Sequence, residues 1–125
     1  FDYSFFESWY ANMPTKYHAW CAGRQELLET MVHHNVIRKD KPHHLLGCSL
    51  PQEFKKYKKY EWIDSVDTSS PVVHGIKNIT YAPNQGLNNK QSVKLFTLME
   101  EEVVDSWNDI LYNINEFRGY CNVNI

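Results

Sequence analysis

A chain of 125 residues permits one domain of ordinary size, and 42% hydrophobic with 14% aromatic against 22% charged residues is a globular composition that excludes disorder. A net charge of −2 supplies no global field to gather polyanions, so nucleic-acid binding would need a local basic patch. No apolar run approaches the roughly 20 residues of a spanning helix, so no membrane partner is expected.

Position 1 is Phe, with no basic stretch followed by an apolar one near it, so the chain is expected to be processed, trimmed or part of a larger protein. In "FDYSFFESWYANMPT" Phe1, Phe5, Phe6, Trp9 and Tyr10 fall at helical spacing, which predicts a short helix ending before Pro14. "KYHAWCAG" reads as a strand ending at Ala22-Gly23. It is followed by a helix in which Leu27, Leu28, Met31, Val32 and Val36 mark one face. After the break at Lys39-Asp40-Lys41-Pro42, "HHLLGC" is too short for a helix and reads as a strand. "PQEFKKYKKY" then reads as a helix with Pro51 in its first turn and Ser49 as its cap. "EWIDSVD" carries Trp62, Ile63 and Val66 as a third strand, and "TSSPVVHG" breaks it.

The expected fold class is α/β. Residues 15–76 form a βαβαβ portion with parallel strands and flanking helices, 77–91 an irregular loop rich in Asn, Gly, Pro and Gln, and 92–118 a long C-terminal helical segment. In that segment Val93, Phe96, Met99, Val103, Trp107, Ile110, Ile114 and Phe117 recur at three- and four-residue steps, with one break expected near Asp105. Such a stripe serves either core packing or a subunit contact. Ligands of parallel sheets sit outside the carboxyl ends of the strands, here "CAGR", "GCS" and "DTSS".

The chemistry gathers at those ends. Strand alternation puts Asp64 and Val66 on one face and Ile63, Ser65 and Asp67 on the other, so the two carboxylates should not form an acid/base pair. Asp67 is the candidate catalytic group, with Thr68 and Ser69 placed to bond a substrate or orient the carboxylate. The competing reading is a turn cap. Gly47, Cys48 and Ser49 are candidate substrate contacts, since Gly47 lets backbone approach a ligand and the amides open the Pro51 helix. Cys48 is poorly placed as a nucleophile, because His43 and His44 lie at the other end of its strand. Arg24 either holds an anionic group bidentately or is a surface residue at a helix start. The run "KKYKKY" at 55–60 suits a phosphate backbone or is the solvated face of a helix whose Phe54 and Tyr57 or Tyr60 pack inward.

Neither His33-His34 nor His43-His44 makes a two-ligand site, and no HExxH or CxxC completes one, so neither a metal nor another cofactor is expected. Cys21, Cys48 and Cys121 read as reduced thiols of a cytoplasmic protein. Asn78-Ile79-Thr80 is a formal glycosylation sequon, a triplet that arises often by chance.

"PHHLLGCSLPQEF" followed by "IDSVDTSSP" resembles the last strands of the TIM-barrel tRNA-guanine transglycosylases and their phage-encoded relatives, over residues 42–71, about a quarter of the chain. In that family a strand ending in a small Gly-rich turn precedes a Pro-Glu helix, and the next strand carries an Asp nucleophile. The resemblance implies part of a TIM-like barrel, with Asp67 as the nucleophile, Gly47 near the base-binding pocket and nucleic acid or a nucleobase as partner. The family's zinc motif, CxCxxC with a later His, is absent, and eight βα units take about 250 residues. The likeness therefore implies the carboxyl-terminal part of a barrel or a divergent member. The alternative is a non-enzymatic module that binds a protein partner or a second copy through the 92–118 helix. The two readings separate on Asp67, which lines a pocket with Ser69 and the "GCS" turn in the first and is an exposed cap in the second.

Overall fold

The computed structural model describes residues 3–121. Helix α1, Ser4–Trp9, matches the expected aromatic helix, and Phe1 lies outside the described residues. It packs on α2, Lys16–His33, so closely that a Cβ at Gly23 would sit 2.2 Å from the Phe6 ring.

The first expected strand does not form, since "KYHAWCAG" is the opening of α2. Thr15 is extended and its side chain accepts from the His18 N–H, so the helix starts at Lys16. Gly23, which looked like a break, is a contact point for Phe6. "CAGR" is therefore mid-helix and no strand exit.

Strands β1, His43–Leu45, and β2, Ile63–Val66, pair in parallel as a two-stranded sheet. Two of the three expected strands are thus present among the described residues, and a sheet of two strands does not support a TIM barrel. The connection is a 3₁₀ helix, Pro51–Tyr57, with Leu50 and not Ser49 at its N-cap and no side-chain cap bond. Its register with β1 changes the face pattern of β2: His43 lies opposite Ile63 but His44 opposite Ser65. This bulge at Asp64 turns Ile63 and Val66, three residues apart, onto the same core. The expected grouping of Ile63 with Ser65 and Asp67 is corrected accordingly.

The core gathers Leu28 from α2, Phe54 and Tyr57 from the 3₁₀ helix, Trp62, Tyr81 and, from the chain's last helix, Phe117 and Tyr120. "TSSPVVHG" does more than end β2. Ser70–Ile76 is helix α3, with Pro71 in its first turn, and it lies so close against that last helix that Gly75 touches the Ile110 backbone. Residues 77–91 are irregular, as expected, with Asn78 and Asn84 in the left-handed region and an isolated bridge between Ala82 and Gly86.

The 92–118 segment is broken into a short 3₁₀ turn, Leu95–Thr97, helix α4, Glu100–Asp105, and α5, Trp107–Tyr120. The break at Ser106 adjoins the expected position. Ser106 is buried and donates to the Ile76 carbonyl at 3.2 Å, which ties the joint to α3. Beyond it, Ile110, Asn113, Phe117 and Tyr120 turn inward, whereas Phe96, Met99, Val104 and Trp107 are exposed. Among the described residues no helix is long and apolar enough to cross a membrane.

Candidate functional site

Because β1 and β2 run parallel, the residues that follow them emerge at one end of the sheet. Gly47 takes φ +71°, a conformation glycine reaches at no steric cost, and this turns its amide toward β2. The Gly47 N–H donates to Asp67 Oδ1 at 2.8 Å, and the Asp67 N–H donates back to the Leu45 carbonyl at 3.4 Å. His44 Nε2 lies 3.4 Å from the same Asp67 oxygen, and its Nδ1 shares a 2.8 Å hydrogen bond with Ser65 Oγ. Thr68 Oγ1 accepts from the Ser70 N–H at 3.0 Å, which opens α3 immediately after Asp67.

Five of the seven expected residues meet in one small cleft. Gly47, Cys48, Asp67, Thr68 and Ser69 line a cavity of about 140 Å³, closed on its other side by His74, Lys90 and Gln91. The Asp67 side chain is 64% exposed, so a ligand reaches it directly. The Gly47 amide holds its carboxyl below the usual carboxylate range; desolvation opposes this and the His44 contact adds to it. Asp67 thus lines a pocket with Ser69 and the Gly47-Cys48 turn, and it also caps an amide. Among the described residues the Ser69 hydroxyl carries no hydrogen bond.

Cys48 is part of the wall. Burial pushes its thiol up to about 12, with the Glu53 charge adding to the effect, so at neutral pH it stays protonated. Ser49 lies outside the cleft and lines the neighbouring groove between α2 and β1.

Arg24 supports the turn from behind. Its Nε and Nη2 donate to the Glu53 carboxylate at 2.6 and 2.9 Å, Nη1 to the Leu46 carbonyl at 2.8 Å and Nη2 to the Gly47 carbonyl at 3.1 Å. Burial works against the Arg24 charge, but the bonds and charge of Glu53 more than offset it and raise its pKa. With Tyr57 also donating to Glu53, this buried cluster has its donors engaged within the fold. Arg24 is thus buried mid-helix, with its bidentate contact made to Glu53 inside the fold.

No family model, curated protein or solved structure matches the chain.

The other candidate groups fall elsewhere. Asp64 lines a separate groove with Phe54, Tyr57 and Phe117, so the two carboxylates do not share a site. Among the described residues no three His, Cys, Asp or Glu side chains gather as a metal site. In the basic run Phe54 and Tyr57 pack inward, Lys55 donates to the Asn84 carbonyl and lies over the Tyr120 ring, and Lys59 pairs with Glu29 at 3.3 Å. That run enters β2 from its amino end, away from Asp67. Sequence reasoning missed His44 as an Asp67 partner, Glu53 as the Arg24 partner, and His74, Lys90 and Gln91 as cleft walls. His44 and Asp67 are 23 residues apart, Arg24 and Glu53 29, and Lys90 and Gln91 lie 23 and 24 residues beyond Asp67, separations with no local period, while His74, seven residues after Asp67, falls in the stretch expected to be a break.

Proposed function

We propose that the protein is a transglycosylase-like base-exchange enzyme, or a divergent relative of one, acting on nucleic acid with Asp67 as nucleophile. The observation that carries this reading is the Asp67 carboxylate itself: exposed, held by the Gly47 amide at 2.8 Å and set at the carboxyl end of a parallel strand over a cleft with Ser69. Oδ1 takes the Gly47 and His44 contacts, so Oδ2 attacks the sugar C1′. The C1′–O bond forms as the C1′–N bond to the base breaks, and the electron pair leaves with the base. An incoming base then reverses the step. An aspartate is ionised at neutral pH, as a nucleophile must be, and the Gly47 and His44 contacts lower its pKa further. Gly47 and Cys48 line the base side, while Arg24 acts through the turn it holds. In the same reading the protein works in the cytoplasm, and its partner is nucleic acid or a nucleobase.

The test is incorporation of labelled guanine into bulk tRNA. Asp67→Asn should abolish incorporation while the far-ultraviolet circular dichroism is unchanged, because the carboxylate is exposed and its loss leaves no buried charge. The acid limb of the wild-type rate should lie below the ordinary Asp value of ~3.9. An Asp67→Asn variant with wild-type incorporation defeats the assignment.

The second reading, an interaction module using residues 92–118, is favoured by one observation: Val104 and Trp107 are 64% and 53% exposed on the outer side of the broken helix. If that surface binds a second copy, substitution of both by Lys should lower the mass seen by light scattering to that of one chain, and an unchanged mass defeats this reading.

A further inference from the structure

The chain's net charge of −2 cannot draw a polyanion to the Asp67 cleft, so any attraction has to be local. The loop over residues 88–94, "NNKQSVK", supplies it. Lys90 closes one side of the cleft. Its neighbour Gln91, also a cleft wall, accepts a hydrogen bond from Lys77 Nζ of the α3 C-cap at 3.4 Å. Lys77 and Lys94 in turn line one groove of about 430 Å³ together with Ser92 and Thr97, and Glu102 is the carboxylate on its rim. The cations thus succeed one another outward from the cleft.

Two further observations suit these lysines to a ligand. The ion pairs among the described residues are Arg24 with Glu53, Arg38 with Asp40, His44 with Asp67 and Lys59 with Glu29, so Lys77, Lys90 and Lys94 take part in none of them, and Glu102 is the one carboxylate that shares the groove of Lys77 and Lys94. The loop that carries Lys90 and Lys94 is pinned. The Gln91 N–H donates to Nε2 of His74 at 3.3 Å, His74 is 1% exposed, and Thr15 Oγ1 donates to the Asn88 carbonyl at 3.2 Å. Fixed attachment points reduce the ordering cost of binding.

We infer that Lys90, Lys77 and Lys94 form a phosphate track that holds successive phosphates of a single-stranded nucleic acid whose target nucleotide enters the Asp67 cleft. The inference rests on the base-exchange reading and gives it a substrate form. A cleft of about 140 Å³ has room for no more than a base, so the target base must leave its stack while sugar and phosphate stay outside, and three cations in succession suit a strand where a mononucleotide would meet Lys90 alone.

The experiment is fluorescence anisotropy of a short fluorescein-labelled single-stranded RNA with the full chain across a salt series. Lys90→Ala, Lys77→Ala and Lys94→Ala are compared singly and combined, with Lys56→Ala plus Lys58→Ala as the control at the opposite end of the sheet. Each track lysine removed should lower the slope of log affinity against log salt by about 0.7, whatever the RNA sequence, and the control should leave it unchanged. Guanosine monophosphate, used as a competitor, should lose affinity in Lys90→Ala and keep it in the other two. Absence of RNA binding, a triple variant with the wild-type slope, or equal loss of the mononucleotide in all three overturns the track. Guanine incorporation measured in parallel separates the two claims. Asp67-dependent incorporation with an unchanged slope in the triple variant removes the track alone, whereas the expected slopes without incorporation remove the reaction and leave the track.

Discussion

Arg24 and Glu53 show how much one buried pair decides. Their side chains are 7% and 1% exposed, and each satisfies the other while Arg24 also holds the carbonyls of the Leu46-Gly47 turn. Removing one partner leaves a buried charge unpaired, so Arg24→Met should cost about 3–5 kcal/mol in urea unfolding. The double variant Arg24→Met with Glu53→Met should recover much of that loss, because no lone charge remains. A double variant no better than the single would mean that the carbonyl contacts, and not the ion pair, set the stability. The sequence showed Arg24 beside a small-residue run but not its partner, since Glu53 sits 29 positions later in a helix that reads as surface.

At the scale of elements, α3 packs against the backbone of α5, and glycine permits it. A Cβ at Gly75 would lie 2.5 Å from Ile110 Cγ1 and 2.7 Å from the Ile110 Cα and N, so backbone would have to move. Gly75→Ala should therefore destabilise by about 1–3 kcal/mol, read as a lower denaturant midpoint. Gly119→Ala is the control, because nothing lies within 4 Å of its Cβ position. Relief of the glycine penalty inside α5 should leave it neutral or about 0.5–1 kcal/mol more stable. Helix α3 was read as a break because Thr68, Ser69, Ser70 and Pro71 are all turn formers. They are equally the residues that start a helix, and only the packing of Gly75 on Ile110 shows which role they take.

Across the whole molecule, buried thiols and phenols set the alkaline limit. Burial raises Cys48 to about 12, and it raises Cys21, Tyr57 and Tyr81 as well. A group whose folded pKa is raised contributes stability that is present below its unfolded value, ~8.5 for a thiol, and is lost as pH rises from there toward the folded one. The urea midpoint should accordingly fall from pH 8 upward, and iodoacetamide at pH 8 should leave Cys21 and Cys48 unlabelled until the chain is unfolded. Rapid native labelling of either thiol would contradict the burial on which this rests.

Local chemistry was legible from the amino acids alone. The positions of β1 and β2, the irregular loop, the break beside Asp105 and the gathering of Gly47, Asp67, Thr68 and Ser69 at strand ends all follow from side-chain period and turn preference, which act over a few residues. Tertiary structure alone decided that "KYHAWCAG" is helix, because Phe6 of α1 packs on Gly23. It also decided that the bulge at Asp64 sends Ile63 and Val66 to one face, that the apolar stripe after residue 92 is split between core and surface at Ser106, and that Arg24 belongs to Glu53. Each of these depends on which distant surfaces exclude water together, and hydrophobic burial has no direction along the chain from which that choice could be read.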